Sequence, residues 1–153
     1  MKKALSLLTA IALISFNAFA QAPIEKDGLY YNETGGLYTG EVLSFYANGN
    51  MEKTAVVVDG YLDGAVKFYN EDGSLQESGS YKHGSKDGAW TQFSVAGKKT
   101  GEAYYREGAK DGIWTVWDDN GIKRYHMVYS LGEKIDVWKM WDENSNLVSE
   151  RVY

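Results

Sequence analysis

Residues 111–121 read Asp-Gly-Ile-Trp-Thr-Val-Trp-Asp-Asp-Asn-Gly, and residues 87–97 read Asp-Gly-Ala-Trp-Thr-Gln-Phe-Ser-Val-Ala-Gly, 24 positions earlier. Glycines recur with this 24-residue spacing in three columns. We number the positions of each unit from its first glycine, which is position zero. Position zero is Gly40, Gly64, Gly88, Gly112 and then Asp136; position nine is Gly49, Gly73, Gly97, Gly121 and then Ser145; position twenty is Gly60, Gly84, Gly108 and Gly132. The shared spacing predicts a repeat array of about five units, whose members build one surface together.

Bulky residues recur at three further positions of the unit. Position two holds Val42, Val66, Trp90, Trp114 and Trp138; position five holds Phe45, Tyr69, Phe93, Trp117 and Trp141; position seventeen holds Val57, Tyr81, Tyr105, Tyr129 and Tyr153. Aromatic and β-branched side chains at this density favour strands, and no long helical stripe appears. The sequence therefore predicts an all-β protein.

Turn dipeptides divide each unit into two strands. Asn48-Gly49, Asp72-Gly73 and Asn120-Gly121 predict type I′ hairpin turns, whereas Ala96-Gly97 departs from that pattern. Looser turns, such as that at Asp59-Gly60, would lead to the next unit. Residues 28–33 fall in the register of a return strand and predict a half-unit at the front. The simplest topology is a single antiparallel meander of about ten to eleven strands, forming an elongated twisted sheet.

The N-terminus has the layout of a secretory signal peptide. Lys2 and Lys3 precede a mostly apolar run over residues 4–16, and Ala18-Phe19-Ala20 supplies a small-x-small cleavage site. The predicted organisation is a signal peptide at 1–20, a short segment at 21–27 and a repeat domain at 28–153. An uncleaved membrane anchor is the alternative, although the apolar run is shorter than the roughly 20 residues of a spanning helix. We expect a periplasmic or extracellular protein.

Charge and composition narrow the classes of partner. Removal of two lysines with the signal peptide takes the net charge from −5 to −7, so we expect no binding to nucleic acid and little to anionic membranes. The chain has no cysteine, which excludes disulfides and thiolate metal sites.

Enzyme and metal signatures are scarce. His83 and His126 lie 43 residues apart and occupy different repeat positions. The loops around Asp72 and Asp118 faintly resemble calcium loops but lack the first ligand and the bidentate glutamate, so turn chemistry explains them. We predict no catalytic residues, no cofactor and no metal.

The aromatic columns are the candidate partner-binding surface. Positions two and five differ by three, so their side chains point to opposite faces of an unbulged strand. One column can pack while the other stays partly exposed, or both can be core. The candidate residues are Trp90, Phe93, Trp114, Trp117, Trp138 and Trp141. Open edge strands also allow self-association or strand addition by a partner.

The sequence resembles the MORN repeat family, specifically the bacterial MORN-variant repeat of YwqK antitoxin-like proteins. The shared pattern is Gly-x-Trp-x-x-aromatic, then Asn-Gly or Asp-Gly, then an aromatic before Lys-x-Gly. It is carried here by residues 87–93, 111–117 and 79–84. Val42 and Val66 depart from it, because tryptophan is usual at position two.

The leading hypothesis is an exported, non-enzymatic repeat protein that binds another protein, or acts as a scaffold, at the cell envelope. An antitoxin or immunity role is implied only by the resemblance. A carbohydrate or cell-wall binding module that uses the aromatic columns is the alternative, and binding to a lipid surface ranks below both.

Cleavage of the signal peptide is directly testable. Secretion of the full chain, followed by N-terminal sequencing, should yield a mature protein that begins at Gln21. A chain that keeps Met1 and sediments with membranes would identify the N-terminus as an anchor instead.

Overall fold

The computed structural model describes residues 22–153, and all the regular structure in this range is β. The strands are β1 (Ile24–Lys26), β2 (Leu29–Tyr31), β3 (Gly40–Phe45), β4 (Met51–Val58), β5 (Tyr61–Tyr69), β6 (Leu75–Lys82), β7 (Ser85–Lys86), β8 (Gly88–Phe93), β9 (Lys99–Arg106), β10 (Ala109–Lys110), β11 (Gly112–Trp117), β12 (Lys123–Ser130), β13 (Glu133–Trp141) and β14 (Leu147–Val152). The all-β prediction is confirmed. The predicted signal peptide lies outside the described residues, within which no helix is long and apolar enough to cross a membrane.

Twelve strands form one antiparallel sheet in the order in which the chain runs, from β3 to β14. The short strands β7 and β10 are the first parts of the rungs that β8 and β11 continue, with Asp87 and Asp111 at the interruptions. The path across the sheet therefore has ten rungs. Apart from a small contact between β2 and β5, strands touch mainly their neighbours, so the sheet is a single layer. The predicted meander is confirmed.

The turns within each unit differ from the prediction. In the first, only Gly49 has a positive φ (86°), and its N–H donates to the carbonyl oxygen of Tyr46 at 2.9 Å. This is a type I turn followed by a glycine bulge, because Tyr46 also donates its N–H to the carbonyl oxygen of Asn50 at 2.8 Å. The returning strand carries a further extra residue where Ser44 and Phe45 pair with Lys53 and Met51. The type I′ prediction for Asn48-Gly49, Asp72-Gly73 and Asn120-Gly121 is wrong.

The same turn accommodates Ala96. Only the glycine of each pair must enter the left-handed region, and Gly97 does so with a φ of 75°. Its N–H donates to the carbonyl oxygen of Ser94 at 2.8 Å, so the third hairpin closes in the same way as the others.

The type I′ turns instead link one unit to the next. Asp59 and Gly60 have φ values of 47° and 81°, and they join β4 to β5 in a two-residue hairpin. Equivalent pairs of positive φ values occur at His83-Gly84, Glu107-Gly108 and Leu131-Gly132. The links between units are therefore the tighter turns, which reverses the prediction.

Three of the linking turns are hydrogen-bonded to an aspartate on the rung that follows the preceding linking turn. The backbone N–H groups of His83, Glu107 and Leu131 donate to carboxylate oxygens located 20 residues earlier, at 3.1–3.3 Å. The acceptors are Asp63, Asp87 and Asp111. The linking turns consequently stack in a row along one side of the sheet.

The N-terminal segment forms a hairpin of its own and not a return strand of the main sheet, so the predicted half-unit at 28–33 is wrong. Asp27 and Gly28 form a turn with φ values of 54° and 77°, which pairs β2 with β1 in a separate two-stranded sheet. The side chain of Tyr30, 3% exposed, packs against Val42 and Val57. This hairpin covers the apolar surface of the first unit.

The second core cluster is centred on Trp90, which is 2% exposed and packs with Ala55 and Val66. Gly79, on the adjoining rung, makes room for the indole. A Cβ atom at Gly79 would lie 2.3 Å from Cδ2 of Trp90, closer than side-chain atoms can approach.

Replacing Gly79 with alanine tests this close packing. We expect Gly79→Ala to lower the free energy of unfolding by about 1–3 kcal/mol, because the buried indole must shift. Gly101→Ala is the matched control, since its Cβ would meet the flexible side chain of Gln92 at 3.0 Å. Urea unfolding of both variants measures the difference, and equal losses would contradict the packing explanation.

Leu131 is a bulky residue in the left-handed region, with a φ of 47° and 62% of its surface exposed. Leu131→Asn should raise the free energy of unfolding by about 1 kcal/mol, because Asn-Gly suits a type I′ turn. Leu131→Ala removes the same exposed side chain but keeps the backbone strain. A thermal melt in which alanine stabilises as much as asparagine would show that exposure, and not backbone conformation, is responsible.

Candidate functional site

The residues of positions two and seventeen form one row of aromatic rings on one face of the sheet, which we call the ladder face. The row alternates tyrosine and tryptophan, and successive ring centroids lie 4.7–6.2 Å apart. Its members are Tyr81, Trp90, Tyr105, Trp114, Tyr129, Trp138 and Tyr153. Each aromatic pair contributes about 0.5–1.5 kcal/mol beyond simple burial. Tilted and edge-on rings thus join neighbouring units.

Exposure varies along the row, in which Tyr129 is also buried. Trp90 is buried, Trp114 and Trp138 are half-buried, and Tyr153 is 41% exposed. Trp90 therefore belongs to the hydrophobic core, and its indole is not available at the surface. The partner-binding role predicted for the other candidate residues stays a prediction.

The indole N–H groups of the row are used within the protein. Trp90, Trp114 and Trp138 each donate from Nε1 to the backbone carbonyl oxygen ten residues earlier, at 3.0–3.1 Å. A hydrogen bond repeated in three units fixes each ring relative to the preceding return strand. The position-two tryptophans are therefore structural parts of the sheet.

A column of lysines lies over these rings. The Nζ atoms of Lys86, Lys110 and Lys134 are 3.5, 4.4 and 4.6 Å from the ring centroids of the tryptophan in the same rung. Each also lies 4.9–5.3 Å from the centroid of the next tyrosine in the row. We call these three residues the lysine row. Sequence reasoning missed it, although the 24-residue spacing of the three lysines was visible.

Burial raises the pKa values of Tyr81 and Tyr105, and the negative charge of Glu77 raises them further. Their hydroxyl groups consequently stay protonated well above neutral pH. These two tyrosines therefore add no negative charge beneath the lysines.

The position-five residues occupy the other face, which we call the column face. The three candidate residues among them are half-buried: Phe93, Trp117 and Trp141. Side chains alternate between the two faces along a strand, so these residues point away from the ladder face. Within residues 22–153 their rings do not stack on one another. Instead, Lys99 lies 4.9 Å from the ring centroid of Trp117, and Lys123 lies 5.6 Å from that of Trp141. The structure thus divides the six candidate residues between two faces.

The two histidines and Asp118, which the sequence singled out, belong to turns and strands of the sheet. His83 is exposed in a linking turn, where its Nδ1 atom lies 3.2 Å from Oδ2 of Asp63. His126 lies half-buried in β12. Asp118 accepts hydrogen bonds from the backbone N–H groups of Asn120 and Ile122 at 2.9 and 3.0 Å. Desolvation acts to raise the pKa of Asp118, but these bonds and the Arg124 guanidinium together lower it. In the part of the chain that the structure describes, no three potential metal-binding side chains come together.

The comparisons with known proteins identify the repeat. Residues 38–58 and 62–83 match the family model of the MORN repeat variant. No curated protein matches the chain. A solved structure described as the GtfA/B complex bound to UDP and GlcNAc is similar to 90% of this chain, with 11% identity and a TM-score of 0.31. The chain spans 29% of that structure's length.

The matched segments are the first two full units, in which valine and not tryptophan occupies position two. The resemblance described from residues 87–93 and 111–117 thus rests on units further along the chain. All of these units share the same glycine spacing and hairpin geometry. The chain is therefore a repeat protein, and its residues 38–58 and 62–83 are similar to the MORN repeat variant.

Proposed function

We propose that the chain is an exported, non-enzymatic repeat protein that binds another protein at the cell envelope. The observation that supports this most is the position-five column on the column face. Phe93, Trp117 and Trp141 recur there at one per unit, half-buried and, within the part of the chain that the structure describes, without ring-on-ring partners. Large aromatic side chains held in place but still accessible are typical anchors of protein interfaces.

The repeat type agrees with a binding role. MORN repeats are non-catalytic modules that typically bind proteins or membranes. The signal-like N-terminus supports export of the chain. An antitoxin-like or immunity role would then concern a toxin that acts outside the cytoplasm.

The shape of the sheet favours a protein over a lipid surface. Neighbouring strands rotate by about 20–25°, so successive aromatic residues of the column, two rungs apart, differ by roughly 45° in direction. A planar bilayer could contact few of them at once, and a mature charge of −7 opposes binding to anionic lipids. A carbohydrate partner gains less support, because lysine ammonium groups already lie near the rings of Trp117 and Trp141.

Site-specific crosslinking tests the proposal. Trp117 or Trp141 is replaced with a photoreactive phenylalanine analogue, and the exported protein is irradiated in intact envelopes of its source cells. We expect the same protein adduct from both positions, because they belong to one surface. Mass spectrometry of the adduct identifies the partner, and a toxin would support the antitoxin-like role.

Val95 provides the matched control, since it is 67% exposed but lies in a hairpin turn away from the column. The analogue at Val95 should give no such adduct. Equal labelling from all three positions, or labelling of lipid or glycan alone, would contradict a protein-binding column.

A further inference from the structure

The lysine row presents cations that the rest of the protein leaves largely unneutralised. Lys86 has a carboxylate partner, since its Nζ lies 3.7 Å from Oε2 of Glu77. Lys110 and Lys134 are exposed, and within residues 22–153 neither forms an ion pair. Arg151 extends the row, with its guanidinium carbon 5.0 Å from the ring centroid of Tyr153.

Acidic side chains concentrate elsewhere in the unit. Asp72, Asp118 and Asp142 are in the hairpin turns, where each accepts backbone hydrogen bonds. Asp63, Asp87 and Asp111 hold the linking turns. A protein with a net charge of −5 thus carries a basic strip along the middle of its ladder face.

The aromatic rings hold the lysines in position before any ligand arrives. An ammonium group over a tryptophan ring is attracted by the negative face of the ring. The lysine side chains are consequently more ordered than free ones, and less conformational entropy is lost when an anion binds. A cation–π contact also leaves the outer side of the ammonium group free to donate hydrogen bonds.

The spacing and twist of the row limit what it can bind. Successive lysines are two rungs apart, which is about 9.6 Å, or three residues of an extended chain. They also rotate by roughly 45° at each step, so Lys86 and Lys134 point about 90° apart. A flat membrane cannot meet all three groups, whereas a flexible extended polypeptide can follow the twist.

We propose that the lysine row binds an extended acidic segment of a partner protein, with carboxylates spaced about three residues apart. Charge complementarity selects this occupant, because Lys110 and Lys134 form no ion pair within residues 22–153 and Lys86 has only the 3.7 Å contact with Glu77. The site lies on the face opposite the position-five column. This site is therefore separate from the column that carries the proposed function, and it adds a second binding surface to the protein.

Fluorescence anisotropy of labelled poly-L-glutamate tests the proposal on the mature protein. The wild type should bind at low salt and release the probe near 1 M salt, where the Debye length falls to about 3 Å. The double substitution Lys110→Gln with Lys134→Gln should weaken binding about tenfold. Lys67→Gln with Lys82→Gln is the matched control, because it removes two exposed lysines that point to the column face; it should change binding less than about twofold.

The outcomes distinguish a specific binding site on the lysine row from general electrostatic attraction to the protein's lysines. Equal losses in both double variants, or no binding by the wild type, would overturn the proposal. Stronger binding to phosphatidylglycerol vesicles than to the peptide, lost in the same variant, would assign the row to lipid and also overturn it. If the double variant fails to fold, Lys134→Gln alone should weaken binding about threefold. Crosslinking from Trp117 tests the column face separately. The proposed function and the lysine-row proposal can therefore fail independently of each other.

Discussion

The alternating contact of tyrosine and tryptophan rings along the ladder face holds this sheet together. A single-layer sheet has no second layer to bury its apolar side chains, so it must bury them against one another. The rings achieve this by linking each return strand to the next outgoing strand, from Tyr81 to Tyr153. In the first units, valines occupy the same positions, and Tyr30 of the N-terminal hairpin covers them. Stability is consequently local and additive, as expected when repeats contact only their neighbours.

This arrangement gives the two faces different roles. On the ladder face the indole N–H groups, the rings and the lysines are all engaged with neighbouring units. On the column face Phe93, Trp117 and Trp141 keep accessible surface and have no ring-on-ring contacts within residues 22–153. We therefore expect substitutions at position five to cost the fold little stability, and substitutions at position two to cost it more.

Much of the architecture followed from residue spacing. The 24-residue glycine columns predicted the number of hairpins, the antiparallel meander and the opposite orientation of Trp90 and Phe93. The predicted turn types were wrong because the Asn-Gly dipeptide alone was taken to predict a type I′ turn. Asn48 keeps a negative φ and the adjoining bulge takes up the extra residue, whereas poorer type I′ formers such as Leu131-Gly132 occupy the type I′ turns.

Features that join different strands were harder to predict. Tyr105 and Trp114 are nine residues apart, and only the sheet register shows that they stack. The lysine row was missed for the same reason, since Lys110 meets Trp114 across an interruption in the rung. Residues 28–33 had the composition of a return strand, but the turn at Asp27-Gly28 paired them with upstream residues instead.

The most direct test compares two tryptophans of one strand, Trp114 on the ladder face and Trp117 on the column face. Equilibrium urea unfolding should show that Trp114→Ala loses about 3 kcal/mol of stability, because it interrupts the aromatic row. Trp117→Ala should lose about 1 kcal/mol and leave the unfolding of the other units unchanged. Equal losses from the two substitutions would show that both aromatic columns are core, and would contradict the account that only the ladder-face rings hold the sheet together.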